Sequence, residues 1–291
     1  MSVRFRSTIS AAAIALAAVL AGCSGDSGSP SSEEDSSVSG ADISHVHGLG
    51  VNPGDGKLYV ATHHGIVAVD DDGSARRMGD TADYMGFTVA GADTFLGSGH
   101  PAENSDAPAN RGLIKSTDAG KTWQTLSLAG EADFHALEHA HGTIYGYDST
   151  NGLLRVSEDG ETWKDRAELA ALDIAVSPED PDTVLATTEN GVAKSTDGGE
   201  TFTDGDGRVL AYLSWAEQGE LYGIDLDCTL HRSTDGGESW TETGTVPGGR
   251  PQALTAVDAD HVLAATADGI YESEDGGKTF TERLAMSEDA R

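Results

Sequence analysis

From residue 44 onward the chain is a succession of short apolar runs broken by Gly, Asn and Asp roughly every ten residues. The first set covers residues 45–51, 57–61, 65–69 and a weaker 75–78. Comparable runs open later sets at 84–90, 134–139, 172–176, 211–215 and 251–257. Second runs follow at positions such as 143–146, 183–186, 220–223 and 261–265. Runs this short, rich in Val, Ile, Leu, Thr and Tyr and bounded by turn formers, predict strands rather than helices. The segment 41–291 is therefore expected to be all-β, and its length suits one large domain.

A turn motif repeats through this pattern and sets the architecture. It reads Ser-x-Asp-x-Gly-x-Thr/Ser-aromatic at residues 116–123, 195–202, 233–240 and 273–280, with a copy one residue shorter at 157–163. Its serines, Ser116, Ser157, Ser195, Ser233 and Ser273, are spaced 41, 38, 38 and 40 residues apart. A degenerate sixth copy, residues 69–73, starts 47 residues before Ser116. Ser and Asp side chains bond backbone N–H groups in tight turns, and Gly supplies the positive φ such turns require. The aromatic then heads the next strand and is expected to fill the gap between sheets. The motif resembles the Asp-box (BNR) repeat of sialidases, sortilin-type receptors and related β-propellers, over residues 44–285. The resemblance implies a six-bladed β-propeller over residues 41–291, similar to bacterial exported proteins described as glycosyl-hydrolase-like. It also implies that Asp118, Asp159, Asp197, Asp235 and Asp275 are structural turn residues without a catalytic role. A β-sandwich would not need a turn recurring near every forty residues, whereas a propeller buries each sheet against its neighbours. Closure of the ring by strand exchange is not evident, because blade one starts on its inner strand and blade six ends on its outer one.

The first forty residues stand outside this pattern. Arg4 and Arg6 precede an apolar run over 9–21 that is too short to span a bilayer and fits a secretion signal. The run ends in Leu20-Ala21-Gly22-Cys23, which resembles a bacterial lipobox. Residues 1–22 are thus expected to be a signal peptide and Cys23 the lipidated N-terminus, anchoring the protein to the outer face of the cytoplasmic membrane. Residues 23–40, dominated by Ser, Gly and acids, are expected to form a disordered tether. With Cys23 lipidated, Cys228 has no partner and is expected to be a buried free thiol.

Charge narrows the partners. The chain carries 49 acidic against 18 basic residues, a net −31, and loss of Arg4 and Arg6 takes the mature chain close to −33. Nucleic acid is excluded as a partner by this balance, since it needs a basic surface. The candidate chemistry is instead histidine. In a propeller the connections between blades, and between second and third strands, lie on one face. That rule puts His45, His47, His63, His64, His100 and His135 at one channel mouth, on three consecutive blades, with Met85 aligned with His47 and His135. His139 and His141 fall on the opposite face, and His231 and His261 in strands. His45 and His47 are two apart on a strand and point to one side. Such a set suits zinc or copper, with Met85 leaning toward copper, and equally suits a small-molecule anion, a sugar or a protein ligand. Glycoside hydrolysis is the enzymatic alternative, and docking of another exported protein during assembly is a third reading. The arginine triad of sialidases has no counterpart, although Asp83, Tyr84 and Asp133 lie near the right face. Phosphate-binding glycine loops and Ser-His-Asp signatures are absent.

Overall fold

The computed structural model describes residues 36–205, 207–216 and 219–286. The predicted signal peptide, Cys23 and the tether as far as residue 35 lie outside the described residues. The described chain is a six-bladed β-propeller built from antiparallel sheets, each formed by consecutive strands. The innermost strands, in blade order, are Val46–Val51, Asp83–Gly91, Phe134–Ala140, Ile174–Val176, Tyr212–Trp215 and Pro251–Ala256. Among the described residues the only helical element is a single 3₁₀ turn, Gly40–Asp42, and none is long and apolar enough to cross a membrane.

Second and third strands are apolar on both faces because both faces are covered; all five residues of Leu58–Thr62 and of Gly65–Val69 are buried. The core is correspondingly divided into six clusters, and each fills the gap between two adjacent blades. The aromatic that ends each turn motif packs at the gap to the preceding blade: Trp123, Trp163, Phe202, Trp240 and Phe280 in turn. Trp163 stacks on Phe134 with ring centroids 4.8 Å apart.

The turns themselves are closed by the side chains that define them. In the turn after Gly191–Ser195 the Ser195 Oγ accepts the Gly199 N–H at 2.8 Å. Asp197 accepts the Thr201 N–H at 2.9 Å and the Thr201 hydroxyl at 2.6 Å. The same bonds recur around Asp118, Asp235 and Asp275. In the shorter copy Gly160, not the residue after it, reaches Ser157 at 2.8 Å, and Asp159 takes two successive backbone N–H groups. Hydrogen bonds from the following Thr or Ser, backbone and side chain, hold Asp159, Asp197, Asp235 and Asp275 down to about 2. All five aspartates are thus occupied as turn acceptors.

Two features depart from the sequence pattern. Blade four has three strands and only an isolated bridge, Lys194 to Thr203, where a fourth is expected. The stretch Thr203-Asp204-Gly205 has no apolar alternation to pack. The fold also begins inside the expected tether. Ser37–Val38 adds a fifth, outermost strand to blade one, paired antiparallel with Ala75–Met78. The following Gly40 lies so close to blade six that a Cβ there would stand 1.6 Å from the Ala285 carbonyl oxygen. Ile43, 1% exposed, then joins Leu284 and Met286 in the cluster between blades six and one. The ring is therefore closed by packing of this N-terminal clasp, with each blade keeping its own strands.

Candidate functional site

Four of the six inner strands carry a β-bulge near their start, at the mouth of the central channel. The ladder slips between Val46 and Gly48, Tyr84 and Gly86, Phe134 and Ala136, and Pro251 and Ala253. The residues left out of register are His47, Met85, His135 and Gln252, and a bulge re-aims the residue it carries. In the two blades without such a slip, Asp173, just before Ile174, and Tyr212, paired with Ile224, line the channel. Small residues follow the bulges because the strands crowd there: a Cβ on Gly86 would stand 2.3 Å from the Phe134 carbonyl oxygen of the next blade.

Above this ring opens a bowl of 1370 Å³ whose walls include His45, His47, His63, His64, Asp83 and His100. Three of these residues converge tightly. His47 Nε2 lies 3.2 Å from His63 Nδ1, His63 Nδ1 lies 3.0 Å from Asp83 Oδ1, and His47 Nε2 lies 3.8 Å from the same carboxylate oxygen. His45 stacks beside them, its ring centroid 5.4 Å from that of His63. His63 Nδ1 cannot accept a hydrogen from His47 and donate one to Asp83 at the same time, so protons alone satisfy this triangle incompletely. Its two shorter edges, 3.0 and 3.2 Å, lie near the ligand separation of a tetrahedral ion, roughly 3.3 Å for bonds near 2.0–2.1 Å, and the third, 3.8 Å, is longer. Burial, reinforced by the neighbouring histidines, pushes His47 down to about 3, so its ring stays neutral with a lone pair available at physiological pH. Burial likewise lowers His45.

A second convergence lies one blade on. His135 Nε2 is 2.8 Å from Asp133 Oδ2, and His100 Nε2 is 3.6 Å from the same atom. His64 and Met85 take no part in either group. The His64 carbonyl accepts from Arg77 Nε at 2.7 Å, and Met85 is absent from the walls of both bowl and channel. Five of the six histidines expected at one mouth gather around two aspartates, His45, His47 and His63 near Asp83 and His100 and His135 near Asp133. Asp83 and Asp133 each stand two residues before a bulge position, as His45 stands before His47. That i, i−2 relation was readable once the blades were aligned.

Comparison with known proteins gives the fold wide company. No known family profile matches the chain. A xyloglucanase of Paenibacillus sp is 28% identical over 197 residues, 63% of this chain but 18% of the xyloglucanase, so the chain spans under a fifth of that relative. The GH74 enzyme of Niastella koreensis superposes with a TM-score of 0.58 at 16% identity, over 82% of this chain and 45% of that one. A chain of a nidogen/laminin complex gives 0.62 at 11% identity, over 79% and 92%. These structural likenesses carry the propeller fold alone.

Below the bowl runs a channel of 700 Å³ that His47, His135 and Tyr212 share with Glu138, His139 and Asp173. Burial, with Asp173 adding its charge, pushes Glu138 up to about 8. Burial raises Asp173 to about 7 against the pull of the Leu213 and Ile174 backbone N–H groups. Cys228 is buried and free, and burial pushes its thiol up to about 11, beside the acidic Asp225, Asp227 and Asp268.

Proposed function

We propose that this protein is an exported, lipid-anchored propeller of the Asp-box kind that binds a divalent transition metal in its bowl, through His47, His63 and Asp83. The observation that carries the reading is the convergence of three donor atoms, from three separate strands and loops, within 4.8 Å of one another. Two imidazoles and a carboxylate are a zinc-type donor set with a fourth position left for water or a ligand. Because Met85 stands outside the bowl walls, nothing in the site favours Cu(I), and zinc replaces copper as the first expectation. The lipobox at Cys23 supports anchoring at the outer face of the membrane, and the net charge of −31 supports partners other than nucleic acid. Calorimetric titration of the chelator-free, untagged protein with Zn²⁺ tests the reading. Micromolar or tighter binding, lost in a His47→Ala/His63→Ala double variant, is expected; absence of binding heat and of metal by mass analysis sinks it.

The second reading, glycoside hydrolysis, is favoured by the similarity to a protein named xyloglucanase. Incubation with xyloglucan and assay of reducing ends decides it. No release above buffer leaves that similarity a matter of fold.

A further inference from the structure

We infer that the bowl also binds a small organic carboxylate with an aliphatic tail. The tail lies in an apolar groove between blades four and five, and the carboxylate sits on Arg250. None of the metal ligands named above takes part.

This chain exposes large apolar side chains sparingly. Among the described residues those that stand exposed are Leu172, Val209 and Leu226, at 51, 43 and 56%. All three line one groove of 290 Å³. They come from separate segments: Leu172 from the connection between blades three and four, Val209 from that between four and five, and Leu226 from the second-to-third loop of blade five. Apolar side chains scattered singly over a surface need no explanation, but three that converge from separate segments mark a binding surface. Their backbones are tied down. The Leu172 N–H donates to the Thr187 carbonyl at 3.0 Å, and Asp225 closes the loop of Leu226 by accepting the Asp227 and Thr229 N–H groups at 3.0 and 2.9 Å. Leu172, Ala211 and Leu226 line the bowl as well, so groove and bowl open into each other.

Charge selects the head group. Arg250 is on the bowl wall and exposed. It is the one arginine among the described residues whose guanidinium has neither a hydrogen bond nor an ion pair, in a chain of 49 acidic residues. Burial lowers His45 and raises Tyr212, and the Arg250 charge acts on both, adding to the first shift and opposing the second. Both residues line the bowl, so that charge is delivered into it. The Gly249 carbonyl accepts from the Cys228 thiol, which holds the Arg250 segment against the loop that carries Leu226. The acid that lines the groove, Glu189, belongs to blade four, whereas Arg250 belongs to the connection between blades five and six. A bound anion thus has its head toward blade six and its tail toward blade four. A guanidinium grips a carboxylate through two parallel N–H···O bonds. The groove volume is at the lower end of small-molecule sites, about 300–1,000 Å³, and suits one short chain.

Calorimetry on metal-free protein with acetate, butanoate, hexanoate and octanoate, each below its micelle concentration, tests the site. Binding is expected to tighten by up to about fourfold per added methylene, the equivalent of about 0.8 kcal/mol, until the groove is full. Octanol and octylammonium are expected to bind at least about tenfold more weakly than octanoate, and Arg250→Gln to weaken octanoate by a similar factor. Leu226→Ser should flatten the dependence on chain length. Both side chains are exposed, so an unchanged melting point is expected in each variant and separates a lost contact from a lost fold. Absence of binding, octanol or octylammonium binding as tightly as octanoate, or an affinity unmoved by Arg250→Gln overturns the inference. Octanoate bound only by zinc-loaded protein, and lost in His47→Ala/His63→Ala, places the anion on the metal; that overturns this site and leaves the first reading standing. Octanoate bound equally by wild type and His47→Ala/His63→Ala without metal supports this site, whatever the outcome for zinc.

Discussion

If the ring is closed by packing of the N-terminal clasp, cutting back its central side chain should weaken the whole propeller. Ile43 is 1% exposed and shares one cluster with Leu284 and Met286 of the last blade. Ile43→Ala removes about three carbon groups, worth roughly 0.8 kcal/mol each in transfer, and leaves a cavity between blades that cannot close by simple collapse. The expected loss is about 3 kcal/mol, inside the range of about 2–5 measured for such truncations. For a domain of this size that corresponds to a Tm lower by about 6–12 °C, followed by near-UV circular dichroism or calorimetry. Met286→Ala should cost a similar amount, and the double variant less than the two together, because neighbours in one cluster do not add. A melting point within about 2 °C of wild type for Ile43→Ala, on a scale of about 2–4 °C per kcal/mol, would refute the clasp.

Other consequences can be checked on the same material. Ser195→Ala strips the acceptor from the buried Gly199 N–H, at a cost of about 1–3 kcal/mol, and an unchanged melting point would show that the turn does not depend on its serine. Glu138, raised to about 8, keeps a proton in the folded state that the unfolded chain releases above about 4.3, so stability present in acid is lost as pH rises through that window. Glu138→Gln should therefore raise Tm by at least about 3 °C at pH 8 and scarcely at pH 4; equal shifts at both would contradict the burial argument. Cys228, pushed up to about 11, should resist iodoacetamide at pH 8 in the native protein and react in guanidinium, as read by intact mass. Labelling of the folded chain would place the thiol outside the core.

The blades were legible because a propeller writes its fold as a local rhythm. Ser116, Ser157, Ser195, Ser233 and Ser273 mark one turn each, and the bonds that repeat around Asp118, Asp197, Asp235 and Asp275 need only nearby residues. The grouping of His47, His63, His100 and His135 at one mouth follows from the same rhythm, because strand order alone sorts connections between faces. What was not legible depends on contacts between distant parts. Ser37–Val38 looks like tether in composition and becomes a strand only against Ala75–Met78. Asp83 and Asp133 could be placed near the right face from the sequence, but only the closed ring turns each toward an imidazole. Met85 misled because its alignment with His47 and His135 is real in the bulge ring, while its place on the bowl wall is not.

The bulges at the strand starts free the residues they carry from the job of holding a sheet together. His47, Met85, His135 and Gln252 lie out of register with the ladder, so exchanging one for another leaves the paired residues beside it as they were. The lumen can therefore be re-equipped one socket at a time, acid for imidazole or imidazole for amide, on an unchanged scaffold. A lineage of such rings would be expected to share its corners and differ in its centre.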